Sequence, residues 1–149
     1  MIKRITIWFL FLSILSVQSI NAEDKFLSLK KNKVNVRYGP SFDSKIKYIY
    51  KRINLPIKQI DKKENFRRII DLKNNSGWIH VSQLKKSTSI IILEDKILFK
   101  NSSNYSKPMA RLEKGRLLVV KKCENNWCNV TTHNYSGWIK ADNIWGSIK

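Results

Sequence analysis

Acidic residues, histidine, glycine and cysteine are all scarce in this chain, and each shortage removes a class of chemistry. Five glycines among 149 residues form no Gly-rich phosphate loop. The 11 Asp and Glu residues make no set with metal-ligand spacing. Cys123 and Cys128 are the only cysteines, and the four residues between them exclude the two-residue spacing of a thioredoxin site. A zinc site there would recruit His133 and still lack a fourth ligand. Helical periodicity is missing beyond the first two dozen residues, and so is any second long apolar run.

The one long apolar run opens the chain. Lys3 and Arg4 precede an apolar stretch from Ile5 to Val17, which ends in Ile20-Asn21-Ala22. This reads as a secretory signal over residues 1–22, because the run is shorter than the roughly 20 apolar residues a bilayer crossing needs. Cleavage after Ala22 is expected to leave an exported protein without a membrane span, periplasmic in a Gram-negative-like cell or otherwise secreted. Net charge is +18, and removing Lys3 and Arg4 leaves 27 basic against 11 acidic residues, or +16. Such a balance favours anionic partners. Lys, Ile and Asn are together what an AT-rich genome yields, so Arg37, Arg67 and Arg68 are the more informative cations.

What remains is a repeat. Ser76-Gly77-Trp78-Ile79 recurs sixty positions later as Ser136-Gly137-Trp138-Ile139. Upstream, Phe66 and Ile69 face Trp127 and Val130, Leu55-Pro56-Ile57 faces Leu117-Leu118-Val119, and Ser44-Lys45 faces Ser106-Lys107. The start pairs more weakly, Asn35 to Ser41 against Ile97 to Ser103, and only the first copy keeps Gly39-Pro40. Two copies of one small domain follow. Within each copy the apolar period is two. Val34, Val36 and Tyr38 alternate with Asn35 and Arg37; Ile46, Tyr48 and Tyr50 alternate with Lys45 and Lys47; Ile97 and Phe99 repeat the pattern around Leu98. Turns fall at Gly39-Pro40, Lys73-Asn74-Asn75, Lys114-Gly115, Asn125-Asn126 and His133-Asn134. The spacing predicts about five short strands per unit, an all-β chain of two small barrels over residues 25–84 and 90–147, with Lys85 to Ser89 as a polar linker.

The Asn125-Asn126 turn would bring Cys123 and Cys128 across a hairpin, where a disulfide closing so short a loop adds roughly 2 kcal/mol. Two buried thiols are the competing state. Cys128 with His133 would be the only nucleophile and base pair, and a disulfide removes it.

Val34-Asn35-Val36-Arg37-Tyr38-Gly39-Pro40-Ser41, Leu55-Pro56-Ile57, Phe66 to Asp71 and Gly77-Trp78-Ile79 together resemble the bacterial SH3-like domain, SH3b. The second unit is similar through Trp127-Cys128-Asn129-Val130 and Gly137-Trp138-Ile139 and lacks the Asn-x-Arg-x-Gly-Pro start. The resemblance implies two tandem small SH3-like β-barrels and non-catalytic binding of peptidoglycan or an envelope protein or peptide, with no cofactor and no metal. The Ala-Leu-Tyr-Asp-Tyr start of eukaryotic SH3 domains is missing, and with it the case for proline-rich ligands.

Candidate ligand-binding residues are Arg37, Tyr38, Tyr48, Tyr50 and Trp78, which would line a groove on the first unit. The competing assignment makes Trp78 and Trp138 barrel cornerstones, since both copies carry them, and puts half of the tyrosines in the core. Arg67 and Arg68 point to opposite faces of a regular strand, and Asp71 is a turn residue or ion partner. His80 and His133 occupy different places in the repeat, so no shared active site is duplicated and no enzyme is expected. The alternative to a shaped groove is electrostatic binding of a polyanion, lipopolysaccharide or nucleic acid, with nucleic acid the less expected partner.

Overall fold

A computed structural model describes residues 25–147, so the predicted leader lies outside the described residues. The first unit contains β1 (Phe26–Leu29), β2 (Val34–Arg37), β3 (Ile46–Tyr50), β4 (Pro56–Lys63), β5 (Phe66–Ile70), β6 (Ser76–His80) and β7 (Leu84–Lys86). The second contains β8 (Ser89–Ile92), β9 (Lys96–Phe99), β10 (Pro108–Leu112), β11 (Leu117–Glu124), β12 (Trp127–Thr132), β13 (Tyr135–Lys140) and β14 (Ile144–Gly146). A single 3-10 turn, Val81–Gln83, is the only helical element among the described residues. No described helix is long and apolar enough to cross a membrane.

Each unit is one antiparallel seven-stranded sheet, ordered β3-β2-β6-β5-β4-β1-β7 and β10-β9-β13-β12-β11-β8-β14. The two orders are the same order, which is the repeat expressed as topology. Seven strands replace the expected five. The extra pairs, β1 with β7 and β8 with β14, are three or four residues long and mix polar with apolar positions, so alternation has too few periods to register.

Two separate cores result. Leu29, Val34, Val36, Ile57, Ile69 and Ile79 fill the first. Ile90, Ile92, Leu98, Leu112, Leu118, Cys128, Val130 and Ile139 fill the second. The repeated Ser-Gly-Trp-Ile segment works the same way in both: Gly and Ile face inward, and the intervening Trp faces out. In β9 the expected alternation is inverted. Leu98 is buried while Ile97 is exposed, because Lys96 occupies the core position held by Val34 in the first unit. Its ammonium is satisfied there by Glu94 Oε1 and Asp142 Oδ1, each at 3.0 Å. Tyr38 and Ile46 are likewise exposed rather than core: Tyr38 lies beyond the end of β2, and the register shift at Lys47 takes Ile46 out of the β3 alternation.

The turns form where short polar residues tolerate left-handed backbone. Asn125 and Asn126 have φ of 47° and 63°, the two positive values of a type I′ hairpin turn. Cys123 and Cys128 are directly paired across it and joined in a disulfide, with Cα atoms 4.1 Å apart. Reducing this bond is expected to lower the second unit's stability by roughly 2 kcal/mol, read as a lower urea midpoint with dithiothreitol. An unchanged midpoint would refute a stabilising role.

The stretch read as a linker is mostly strand. Lys85 and Lys86 belong to β7 and Ser89 begins β8, leaving only Ser87 and Thr88 between sheets. Its low hydropathy is partly that of a satisfied junction, since Ser87 and Ser89 are buried while Lys86 and Thr88 are exposed. Ser28 and Ser89 are fully buried with their hydroxyls 2.8 Å apart, and Ser89 Oγ also donates to the Asn54 carbonyl. Trp145 of β14 crosses to the first unit, where its indole N–H donates to the Pro56 carbonyl at 3.1 Å and its ring meets Phe26 edge-on at 5.1 Å.

Candidate functional site

The outer face of β2, β6 and β5 gathers aromatic and cationic side chains. Register places Arg37 opposite Trp78 and Trp78 opposite Arg68, a row running across three strands. One step along, Phe66 pairs with His80, and Phe42 from the β2–β3 turn folds onto both, with ring centroids 5.3 Å and 4.8 Å away. Phe66 and His80 are themselves 5.1 Å apart. Arg37 holds the turn in place: one Nη1 donates to the carbonyls of Phe42 at 3.0 Å and Ser44 at 2.7 Å, and the guanidinium lies 5.6 Å from the Phe42 ring.

Phe42 remains 62% exposed despite these contacts, and Tyr38, 67% exposed, lies under Lys47 Nζ at 5.6 Å. Lys47 also donates to the Ser76 carbonyl at 2.9 Å, tying the edge strand to β6. The result is a surface of accessible ring faces bordered by Arg37, Lys47 and Arg68. Rings of this kind stack on sugars or peptide planes, while the cations pair with carboxylates.

Tyr48 and Tyr50 lie elsewhere. They oppose Val36 and Val34 and so sit on the core side of the sheet. Their hydroxyls are 3.3 Å apart, and Tyr50 donates onward to Asp71 Oδ2 at 2.9 Å. Asp71 also accepts from the backbone N–H groups of Lys73 and Asn75 and from the Asn75 side chain. Burial pushes its carboxyl up, and the hydrogen bonds from Asn75, Tyr50 and Lys73 more than offset this, holding it below the ordinary value. Burial, with the hydrogen bonds to Tyr48 and Asp71, drives the Tyr50 phenol far above its ordinary value.

The five candidate residues are therefore divided: Arg37 and Trp78 share the outer face, Tyr38 stands at its edge, and Tyr48 and Tyr50 face the other way. Phe42, Phe66 and His80 were missed as a group. Alternation finds strand positions, whereas Phe42 is a turn residue brought over β5 by tertiary folding. Arg67 turns aside to the Glu64 and Phe66 carbonyls, leaving Arg68 on the outer row.

The second unit carries a rebuilt version of this face. Phe99 stands at the place of Arg37, Trp127 at that of Phe66 and Lys140 at that of His80. Phe99 and Trp127 meet edge-on at 5.7 Å, and Lys140 and Lys122 lie over Trp127 and Trp138 at 6.0 and 5.2 Å. Cys128 is consumed by the disulfide, which leaves no thiol to pair with His133.

Two like sheets in tandem, each with an outward aromatic and cationic face, define a chain of repeated binding-type units. A family model described as the bacterial SH3 domain matches residues 30–86 and again 97–146, and the chain belongs to that family. No curated protein matches it. Among solved structures it is similar to NlpC2 and NlpC1 from Trichomonas vaginalis, at 11% and 14% identity, each with a TM-score of 0.39. The alignments cover 83% and 91% of this chain but 48% and 51% of those proteins, so the chain spans about half their length.

Proposed function

We propose that the protein is an exported, non-enzymatic binding protein of the bacterial cell envelope, periplasmic, with each sheet closing into a small SH3-like barrel. Its ligand is peptidoglycan or an envelope protein or peptide. The observation that carries this reading is the accessible aromatic surface of Phe42, Tyr38 and Trp78 bordered by Arg37, Lys47 and Arg68. Family membership and the leader-like N-terminus support it.

Retention on purified peptidoglycan, with a search for copurifying envelope proteins, tests it. Phe42→Ala removes a largely exposed ring and is expected to weaken retention about tenfold while the circular dichroism spectrum is unchanged. Tyr105→Ala, at a fully exposed position of the second unit, serves as the unaffected control. No retention together with no copurifying partner would sink the reading. The net charge of +18 supports a second one, electrostatic binding of a polyanion. Under it, affinity falls steeply with salt and Phe42→Ala has little effect.

A further inference from the structure

The junction of the two units encloses a cleft that neither has alone. It measures about 510 Å3, within the roughly 300–1,000 Å3 typical of small-ligand sites. Tyr50, Arg52, Leu72 and Lys73 line it from the first unit, and Ile91 and Gly115 from the second. A shallower hollow of about 330 Å3 continues past Arg52 and Gly115 to Arg116 and His133. The junction bonds from Trp145 to Pro56 and from Ser89 to Asn54 hold the two walls together.

Three observations give the cleft a chemistry. First, its Tyr50–Asp71 wall is particular to the first unit. The corresponding positions of the second unit, read from the shared register, are Ala110 for Tyr48, Leu112 for Tyr50 and Thr132 for Asp71, and that unit forms the same sheet. Second, the negative charge of Asp71 is already engaged by Tyr50, Lys73 N–H and Asn75. The side chains of Arg52 and Lys73 have no hydrogen-bond or ion-pair partner among the described residues. The uncompensated charge in the cleft is therefore positive. Third, Leu55, Pro56 and Ile91 supply an apolar floor beside those cations.

We infer that this inter-unit cleft binds the C-terminal end of a short peptide, its free carboxylate held by Arg52 and Lys73 and its apolar side chain seated on Leu55, Pro56 and Ile91. A carboxylate between an arginine and a lysine gains charge-assisted hydrogen bonds, and the apolar floor selects against a bare inorganic anion. The tandem arrangement then has a direct use, since the second unit completes the site. This site stands apart from the outer face of β2, β6 and β5, and either can fail without the other.

The test is a titration of the 15N-labelled two-unit protein with N-acetyl-alanyl-leucine and, separately, its C-terminal amide, followed by NMR. The carboxylate probe is expected to move the backbone signals of Lys73, Asn75, Ile91 and Gly115 together, with a dissociation constant in the millimolar range. The amide should bind at least about tenfold more weakly. Arg52→Ala combined with Lys73→Ala should abolish these shifts without disturbing the rest of the spectrum, and Phe42→Ala should leave them intact. Equal binding of acid and amide, shifts confined to one unit, or none at these four residues would overturn the inference.

Discussion

Gly137→Ala is expected to destabilise the second unit by about 2–3 kcal/mol, the upper part of the range for overpacked interiors. A Cβ at this position would lie 2.6 Å from the Phe99 carbonyl oxygen and 2.9 Å from Leu98 Cγ. The first of these is backbone, held in β9 where it pairs with β13, so it cannot rotate away. Gly77 meets the same obstacle: its Cβ would stand 2.3 Å from Val36 Cγ1 and 3.0 Å from the Arg37 carbonyl. Valine is stiff at χ1 and buried on every side here, which leaves it little room to yield. In a unit of this size each kcal/mol moves the melting temperature by roughly 4–8 °C, so either variant should melt at least about 8 °C lower by calorimetry. A shift within about 2 °C would show that the strands separate at no real cost and that the glycine reflects ancestry alone.

That close approach explains why Ser-Gly-Trp-Ile was the most legible feature of the chain. Gly lets one strand nest against the next, Ile fills the core behind it, and Trp is sent to the outer face. A constraint of this kind acts identically in both copies and so survives as a repeat. Turns were legible for a similar reason, because left-handed backbone at Asn74, Gly115, Asn125 and Asn126 restricts residue choice locally. Features that depend on distant partners were not legible. Lys96 reads as a surface lysine until Glu94 and Asp142 are brought to it, and its presence at a core position reversed the apparent phase of β9. Ser89 reads as linker polarity until it meets Ser28 across the junction. The candidate groove merged two faces because the pairing that sets Tyr48 opposite Val36 and Tyr50 opposite Val34, away from Arg37, cannot be read from either strand's alternation alone. Phe42 joins Phe66 and His80 only through the path of the β2–β3 turn.

Asp71→Ala is expected to cost the first unit about 3 kcal/mol at neutral pH. The carboxylate closes the β5–β6 turn by accepting from Lys73 N–H at 2.8 Å and Asn75 N–H at 2.9 Å, and it receives the Tyr50 hydroxyl at 2.9 Å. Alanine removes three hydrogen bonds to a carboxylate, each worth roughly 1.5–3 kcal/mol, and water reaching the exposed turn residues 72–75 restores part of that. The same contacts fix the pH dependence. Because folding lowers the carboxyl's pKa, its contribution is fully present above the ordinary carboxylate range and is lost as pH falls through the lowered folded value. Tyr50 acts with the opposite sign. Its pKa is raised on folding, so its contribution holds below the ordinary phenol value near 10 and declines as pH rises beyond it. Glu94, Asp95 and Asp142 are lowered as well, through Lys96, Lys114 and Arg111, so acid weakens the wild-type protein at several points. The difference between wild type and Asp71→Ala isolates the one group: urea denaturation should show a gap of about 3 kcal/mol at pH 7 that narrows towards pH 2. A gap that stays constant across that range would mean that Asp71 acts through packing alone and that its charge does not hold the turn.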